Sequence, residues 1–335
     1  MRVAVVGAGI AGLACAHELR LRVCRVEVFE KSRGPGGRMP TRWLGPVAGQ
    51  GGFDHGAQYF SAEHPVFQRR VHEAAESGAV LPWEGTVVDL AYNQITPRPA
   101  SSPRWVGVPG MSAFGSWLAK DLTIHRQTRV QKFFRKNGRW TLETVATSGA
   151  QASLPDWDFV VVAVPAEQAA ELLVESATLS QAARVVQSVP NWTVMLDFEQ
   201  PLVVPFDGAF VHDSPLGWIA RDSSKPGRQD SERWVLQATT DWSQQHLEMA
   251  SEDAGHQLAD VFLGLLGIAT SPTEIRAHRW RYSTPLNPLD VECLIDRDLK
   301  LAACGDWLRG ARVEAAWLSG WALGHALDIA SPVAV

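Results

Sequence analysis

Gly7, Gly9 and Gly12, followed by the acid Glu30, have the clearest chemistry written into their spacing. A pyrophosphate resting on backbone needs a tight turn, a point of close approach and a helix packed hard against a strand, and glycines at these three positions allow each in turn. Gly7, Gly9, Ala11 and Gly12 would then offer N–H groups at the positive end of a helix. An acid about 20 residues further on accepts hydrogen bonds from a ribose diol, the role open to Glu30.

The elements that must position these residues are legible around them. Val3-Ala4-Val5-Val6 predicts a strand, Leu13 to Leu21 a helix, and Val26 to Phe29 a second strand that delivers Glu30. That order is the context a dinucleotide site requires, and a bare glycine match is weak without it. Lys31-Ser32-Arg33-Gly34-Pro35-Gly36-Gly37-Arg38-Met39 follows at once. It reads as a second glycine loop on the same diphosphate, with Arg38 as counter-charge and Lys31 at its base.

The segments GAGIAG and FEKSRGPGGRM resemble the FAD-binding N-terminus of the amine oxidase superfamily of flavoproteins. Asp54-His55-Gly56-Ala57-Gln58-Tyr59-Phe60 is similar to a segment of the renalases, the bacterial branch in particular. Arg104 to Gly107, Pro109 to Ala113, His278 to Tyr282, Cys304-Gly305-Asp306-Trp307 and Arg312 to Gly320 extend the likeness nearly end to end.

The resemblance implies a Rossmann-like α/β FAD-binding domain of the amine oxidase and p-hydroxybenzoate hydroxylase kind, with an interleaved α+β substrate domain on a mixed sheet. It implies adenine contact at Val130, flavin contact at Ala57 and Gln58, and a ribityl or diphosphate contact at Asp306. Val313 opens a helix whose positive end would face the pyrimidine edge of the flavin and stabilise negative charge there. Gln58, Tyr59, Trp105, Trp192, Arg281, Tyr282 and Trp307 are the substrate-side candidates, because they flank the matching segments. Cys304 falls on a predicted strand and reads as a buried thiol, so the FAD is expected to be non-covalent.

Elsewhere the pattern predicts a helix over 112–120 and a hairpin of strands 128–134 and 140–145 turning at Asn137-Gly138. The continuous apolar run 159–164 suits a strand buried on both faces. Helices over 167–174 and 252–266, strands over 192–198 and 233–239, then a strand over 299–303 and a helix over 314–329 complete the outline. The expected division is an FAD-binding domain of residues 1–75, 104–165 and 287–335, with 76–103 and 166–286 as the substrate domain.

Composition narrows the class. A net charge of −5 carries no basic footprint for nucleic acid. Four cysteines without paired spacing suit a reducing cytoplasm and argue against a structural metal. No apolar run reaches membrane-spanning length, and the glycine-rich N-terminus does not suit an export signal. Most of the fourteen tryptophans must be core, but a surplus of flat rings also suits a pocket for a planar, aromatic ligand. There is no GxSxG elbow and no HExxH pair, so the difficult chemistry is expected of the cofactor.

The resemblance implies an oxidase that takes hydride from misreduced nicotinamides, the 2- and 6-dihydro isomers of NAD(P), and yields β-NAD(P)+ and, with O2, hydrogen peroxide. It points to the 2-dihydro isomer and to a monomer or weak homodimer in the cytoplasm. A flavin oxidase of small primary or secondary amines is the alternative, and a non-catalytic flavin-binding protein a third. A plain NAD-dependent dehydrogenase would need neither the second glycine loop nor the Gly305-Asp306 turn.

Overall fold

The computed structural model describes residues 1–22, 24–45, 51–91, 94–228 and 231–327. The chain falls into two compact units, each assembled from separate stretches of sequence.

The first unit holds residues 1–37, 115–188 and 284–335. Its six-stranded sheet runs Leu294–Asp296, Leu301–Ala303, Phe159–Val162, Arg2–Val6, Arg25–Phe29, Thr123–His125. All neighbours are parallel except the edge strand Leu294–Asp296. The four residues of Phe159–Val162 are all buried, as a parallel strand covered on both faces must be. Helix Ile10–Leu21 packs against helix Val313–Ala326 closely enough that a Cβ on Gly320 would lie 1.9 Å from the carbonyl oxygen of Ala11. A three-stranded antiparallel sheet, Thr128–Lys136, Arg139–Ala146 and Gln151–Trp157, lies in the same unit. Its first turn has Asn137 and Gly138 at φ of 52° and 78°, the paired positive values of a tight hairpin turn. Phe29, Phe133, Trp140, Trp157, Val160, Leu301 and Trp307 meet in one apolar core.

The second unit holds residues 38–114 and 189–283. Its seven-stranded mixed sheet runs Glu274–Pro285, Ser188–Phe198, Glu232–Ala238, Leu216–Arg221, Gly208–Val211, Val87–Ala91, Gln94–Pro97. Gly208–Val211 is parallel to Val87–Ala91 and antiparallel to Leu216–Arg221. Helix Ser251–Leu266 buries Ala254, Leu258, Ala259 and Phe262, and these pack with Val194, Leu196, Trp234 and Leu236. The helix ends on Gly267, whose φ of 64° suits the left-handed terminating position.

The Rossmann-like fold and the mixed sheet stand as expected, but the boundaries between units do not. Residues 38–75 and 104–114, expected with the nucleotide domain, belong to the second unit, and 166–188, expected with the substrate domain, belong to the first. The reason lies in pairing. Strand Val80–Pro82 pairs with Trp105–Gly107, and Phe60 exchanges backbone hydrogen bonds with Trp105, which ties 53–114 together. Helices Ala166–Leu172 and Ala177–Arg184 bury Ala169, Leu179 and Ala183 in the core of the first unit. The C-terminal helix is observed over Val313–Ala326, and the end of its expected span lies outside the described residues.

Candidate functional site

In the first unit, the strand Arg2–Val6 ends at Gly7, whose φ of 105° lies in the region that favours glycine. A Cβ there would sit 2.4 Å from the carbonyl oxygen of Ala163, and one on Gly12 would sit 2.0 Å from that of Gly7. At Gly9, by contrast, an added Cβ meets nothing within 4 Å. Gly9 also caps helix Ile10–Leu21 without a side-chain acceptor and with no acid in the first turn. This is a positive helix end with open space above its capping glycine, the geometry that receives a diphosphate.

Glu30 is 6% exposed and binds the turn from the other side. Its Oε2 accepts from the Ala8 N–H at 2.8 Å and its Oε1 from the Ser32 N–H at 2.7 Å. Each oxygen keeps a further lone pair, enough for the two hydroxyls of a ribose. The second glycine loop closes on the first: the Gly36 N–H donates to the Ala8 carbonyl at 2.8 Å, and Gly36 bridges Gly9. A Cβ on Gly37 would stand 3.0 Å from the Cα of Gly9. Gly7, Gly9, Ala11, Gly12 and Glu30 are thus brought to one place. These residues fit the adenosine diphosphate part of a dinucleotide.

Lys31 donates to Gln168 Oε1 at 3.3 Å, and burial draws its pKa below the ordinary lysine value. Val130 is buried in Thr128–Lys136, at the point where the register with the next strand shifts. The Thr128 N–H donates to the Glu30 carbonyl, which ties that strand to the end of Arg25–Phe29. Asp306, 8% exposed, opens the short helix Asp306–Arg309, while the preceding Gly305 N–H donates to Ser319 Oγ of the Val313–Ala326 helix. Val313 begins that helix, and no side chain caps it.

In the second unit, Asp54 to Gln58 form a loop whose polar groups are almost all engaged. Asp54 is fully buried. Its carboxylate accepts from Thr41 Oγ1 at 2.7 Å, from the Met111 N–H at 2.9 Å, from Lys225 Nζ at 3.3 Å and from the Arg228 guanidinium. Asp222 accepts from the Asp54 N–H at 3.2 Å and from Lys225 Nζ at 2.6 Å. The 3-10 turn Asp222–Ser224 places Asp222 and Lys225 side by side. Burial alone would raise the Asp54 pKa, but the charges of Lys225 and Arg228 and the hydrogen bonds from Met111 and Thr41 hold it at about 2. Asp222 goes the other way: burial raises it against the pull of Lys225, and the Asp54 charge adds to the rise.

The Gln58 amide is enclosed by the same group. Its Nε2 donates to the carbonyls of Asp54 and Gly56, and its Oε1 accepts from Lys225 Nζ at 3.4 Å. Gln237 donates to the Gly56 carbonyl at 2.8 Å, Trp280 to the His55 carbonyl at 2.8 Å, and the Ala57 N–H to the Arg38 carbonyl at 3.0 Å. Tyr59 packs tilted against Trp83 and Trp218, with the Arg104 guanidinium 5.7 Å from its ring. The Arg38 guanidinium donates to the Ser283 carbonyl at 2.7 Å. Tyr282 is half-buried on Glu274–Pro285.

Two substrate-side expectations, Trp192 and Trp307, are corrected, and Arg281 stands in an ion pair. Trp192 is fully buried in the core of the second unit, with its indole N–H given to the His246 carbonyl at 3.0 Å. Trp307 lies in the core of the first unit and donates to the Val164 carbonyl at 3.1 Å. Both serve packing. Arg281 is an exposed side chain with each arm on one oxygen of Glu248, at 2.8 Å, so its charge is already matched. Eight of the 14 tryptophans are buried, which accounts for much of a surplus assigned to a ligand slot. A hollow of about 560 Å³ in the second unit, lined by Arg42, Ser251, Glu252, His256, Thr273 and Arg276, includes none of the expected site residues.

The residues that sequence reasoning missed are Asp222, Lys225 and Arg228. Their signal was the spacing Asp222-Ser-Ser-Lys225-Pro-Gly-Arg228 directly after an apolar strand, opposite charges one turn apart where the chain is still buried.

Residues 5–74 match a family model described as an NAD(P)-binding Rossmann-like domain, and residues 98–322 one described as flavin containing amine oxidoreductase. Mouse renalase is 24% identical over 301 residues, covering 84% of either chain. In structure, the chain is similar to an Exiguobacterium sp. 255-15 protein assigned as a protoporphyrinogen oxidase, with a TM-score of 0.78 at 12% identity over 97% of this chain and 98% of the other. A triple mutant of putrescine oxidase gives 0.71 at 13% identity with the same coverage.

Proposed function

Because this chain belongs to the family of flavin containing amine oxidoreductases, we propose that it takes hydride from the 2- and 6-dihydro isomers of NAD(P), releasing β-NAD(P)+ and, with O2, hydrogen peroxide. The chain is an FAD-dependent oxidoreductase. The observation that carries the substrate reading is the likeness to renalase across 84% of both chains. The 2-dihydro isomer is the preferred substrate, and the protein works as a monomer or weak homodimer.

FAD held at this site would supply the hydride acceptor and the two-electron link to oxygen. The chain's residues hold and orient. Gly9 leaves the helix end open for the diphosphate, and Glu30 takes the adenosine ribose on its remaining lone pairs. Val130 provides an apolar wall for the adenine, Asp306 accepts from the ribityl or diphosphate region, and the helix N-terminus at Val313 favours negative charge on the pyrimidine edge of the flavin. Lys31 and Arg38 flank the second glycine loop. Ala57 and Gln58 belong to the flavin and Tyr59 and Tyr282 to the substrate, as the resemblance assigns them.

Loss of hydride makes the pyridine ring aromatic, which drives the step without a strong base. The residues in hand suit that. The Gln58 amide is neutral with its donors spent, and burial together with His278 holds the His55 imidazole uncharged down to about pH 4. Catalysis then rests on placement of the substrate carbon.

The test is anaerobic mixing of the purified yellow protein with each isomer. Bleaching of the flavin absorbance within seconds by 2-dihydroNAD, with β-NAD+ as product, is the expected result. A flavin still oxidised after minutes with both isomers overturns the reading. The family description itself favours a second reading, oxidation of small primary or secondary amines. Steady peroxide release from an amine panel would establish that one instead.

A further inference from the structure

Four charged side chains, Asp54, Asp222, Lys225 and Arg228, are buried together in the second unit, with side-chain exposures of 0%, 1%, 0% and 4%. Burying an ion pair costs several kcal/mol per ion before its attraction is counted. Such a group is therefore a poor way to gain stability and a good way to fix geometry. What it fixes is visible in the donor count of Lys225. An ammonium has three protons, and here they meet three acceptors: Asp222 Oδ1 at 2.6 Å, Asp54 Oδ2 at 3.3 Å and Gln58 Oε1 at 3.4 Å. Trp83 lies 6.0 Å away, closing a further side. Nothing of Lys225 is left over for a ligand.

We propose that Lys225 is a positioning residue that acts through Gln58. Its third proton holds the amide oxygen, so the amide cannot flip and Nε2 must face the Asp54 and Gly56 carbonyls. The same ammonium neutralises the Asp54 carboxylate, to which Thr41 and Met111 are hydrogen-bonded at the start of the loop. Asp222 aims Lys225, Lys225 sets Gln58, and the loop 54–58 presents one fixed face. The loop's relevance to catalysis rests on the flavin reading above, which gives Ala57 and Gln58 to the cofactor.

The charge balance makes the device separable from a simple electrostatic role. Asp54 and Asp222 offset Lys225 and Arg228, so the group is neutral. In K225M the charge that draws the Asp222 pKa down is gone, which favours the neutral carboxylic acid there and leaves Asp54 paired with Arg228. The variant changes what holds the Gln58 amide, and the shift at Asp222 offsets the lost charge.

The experiment is a double-mutant cycle on the FAD-loaded protein with K225M, Q58A and K225M/Q58A, read by kcat/KM for 2-dihydroNAD and by the visible spectrum and FAD dissociation constant. Thermal unfolding of each variant is the control. The expected result is that K225M lowers kcat/KM on the order of tenfold and shifts the flavin spectrum, while in the Q58A background the same change alters either by less than about twofold. Equal effects of K225M with and without Gln58, or a K225M protein that matches wild type, overturn the proposal. If K225M does not accumulate, D222N in the same cycle takes its place, since it keeps the side-chain volume and weakens the 2.6 Å contact that aims Lys225. Absence of turnover in wild type would count against the substrate reading alone, because spectrum and FAD affinity still decide whether Lys225 and Gln58 are coupled.

Discussion

Lys225 Nζ and Asp54 Oδ2 lie 3.3 Å apart, both fully buried, although 171 residues separate them in the chain. The pair joins the loop at 54 to the turn that follows strand Leu216–Arg221, and removing Asp54 leaves two buried cations, Lys225 and Arg228, with Asp222 as the one carboxylate of the group. Replacement of Asp54 by Asn is expected to cost about 3–5 kcal/mol of stability. The Asp54 pKa is held at about 2, below its unfolded value. Its contribution is accordingly complete above about pH 4 and is lost as pH falls through about 2. Thermal unfolding of wild type and D54N at pH 7 measures the difference, and a gap under about 1 kcal/mol would show the pair to be dispensable.

Gly9 and Gly12 predict opposite outcomes for the same substitution. An alanine at position 12 drives its Cβ to 2.0 Å from the Gly7 carbonyl oxygen, so the helix must move off the strand and the apo protein loses stability. An alanine at position 9 meets no protein atom within 4 Å but fills the space the diphosphate needs. G9A is expected to fold with an unchanged apo melting temperature and to weaken FAD binding on the order of a hundredfold, about 3 kcal/mol. Fluorescence titration of apo protein with FAD separates the two cases. Wild-type affinity in G9A would remove the turn from the cofactor site.

Trp192 carries a prediction that follows from its correction. It is fully buried and its N–H is bonded, so W192A is expected to cost about 3–5 kcal/mol of stability. Turnover per folded molecule should stay within a factor of two of wild type. A large fall in kcat with an intact melting temperature would return Trp192 to the substrate side.

The parts of this protein legible in its sequence are those set by local chemistry. Gly7, Gly9, Gly12 and Glu30 declare their turn because spacing alone determines it, and Asn137-Gly138 declares its hairpin because few other pairs adopt two positive φ values. Long-range pairing is what local pattern does not encode. Nothing near Trp105 says that it pairs with Phe60, so the boundary between the units was misplaced. Tryptophan misleads for a related reason. Trp192 and Trp307 have the same composition signal whether the indole lines a slot or fills a core, and only their packing decides. The charge on Lys225 likewise looks like surface until the fold buries it.

The cysteines are expected to be inert. Cys15 and Cys304 are fully buried, and the Cys15 thiol is hydrogen-bonded to Cys304, which together with burial raises its pKa well above the ordinary value. Burial pushes Cys293 up to about 11, so at pH 7.5 roughly one molecule in 3,000 carries its thiolate. Cys24 is buried too, which raises its pKa, so iodoacetamide at that pH should label none of the four rapidly, and all four after denaturation. With Cys304 buried, non-covalent FAD is the expected outcome, so acid precipitation should release the yellow colour to the supernatant. Colour retained in the pellet would show a tether.

His55 should make the protein less stable on mild acidification. Its ring is stacked 5.6 Å from Trp280 and stands 5.0 Å from His278, with Nδ1 3.5 Å from the Phe53 carbonyl. Burial first, then His278 and Arg42, depress its pKa from 6.5 to about 4, against the opposing Phe53 and Asp54. Between those values the unfolded chain binds a proton that the native state refuses, so stability rises with pH across this window and is lost as pH falls through it. The full difference is about 3 kcal/mol, reached near pH 4. Asp222, whose pKa is raised by burial, acts in the opposite sense as it protonates, so the wild-type curve alone mixes the two. Comparison with H55Q isolates the histidine: the stability of H55Q relative to wild type should improve steadily from pH 7 to pH 4.5. Parallel curves for the two proteins over that range would mean that the imidazole accepts its proton in the folded state as readily as in water.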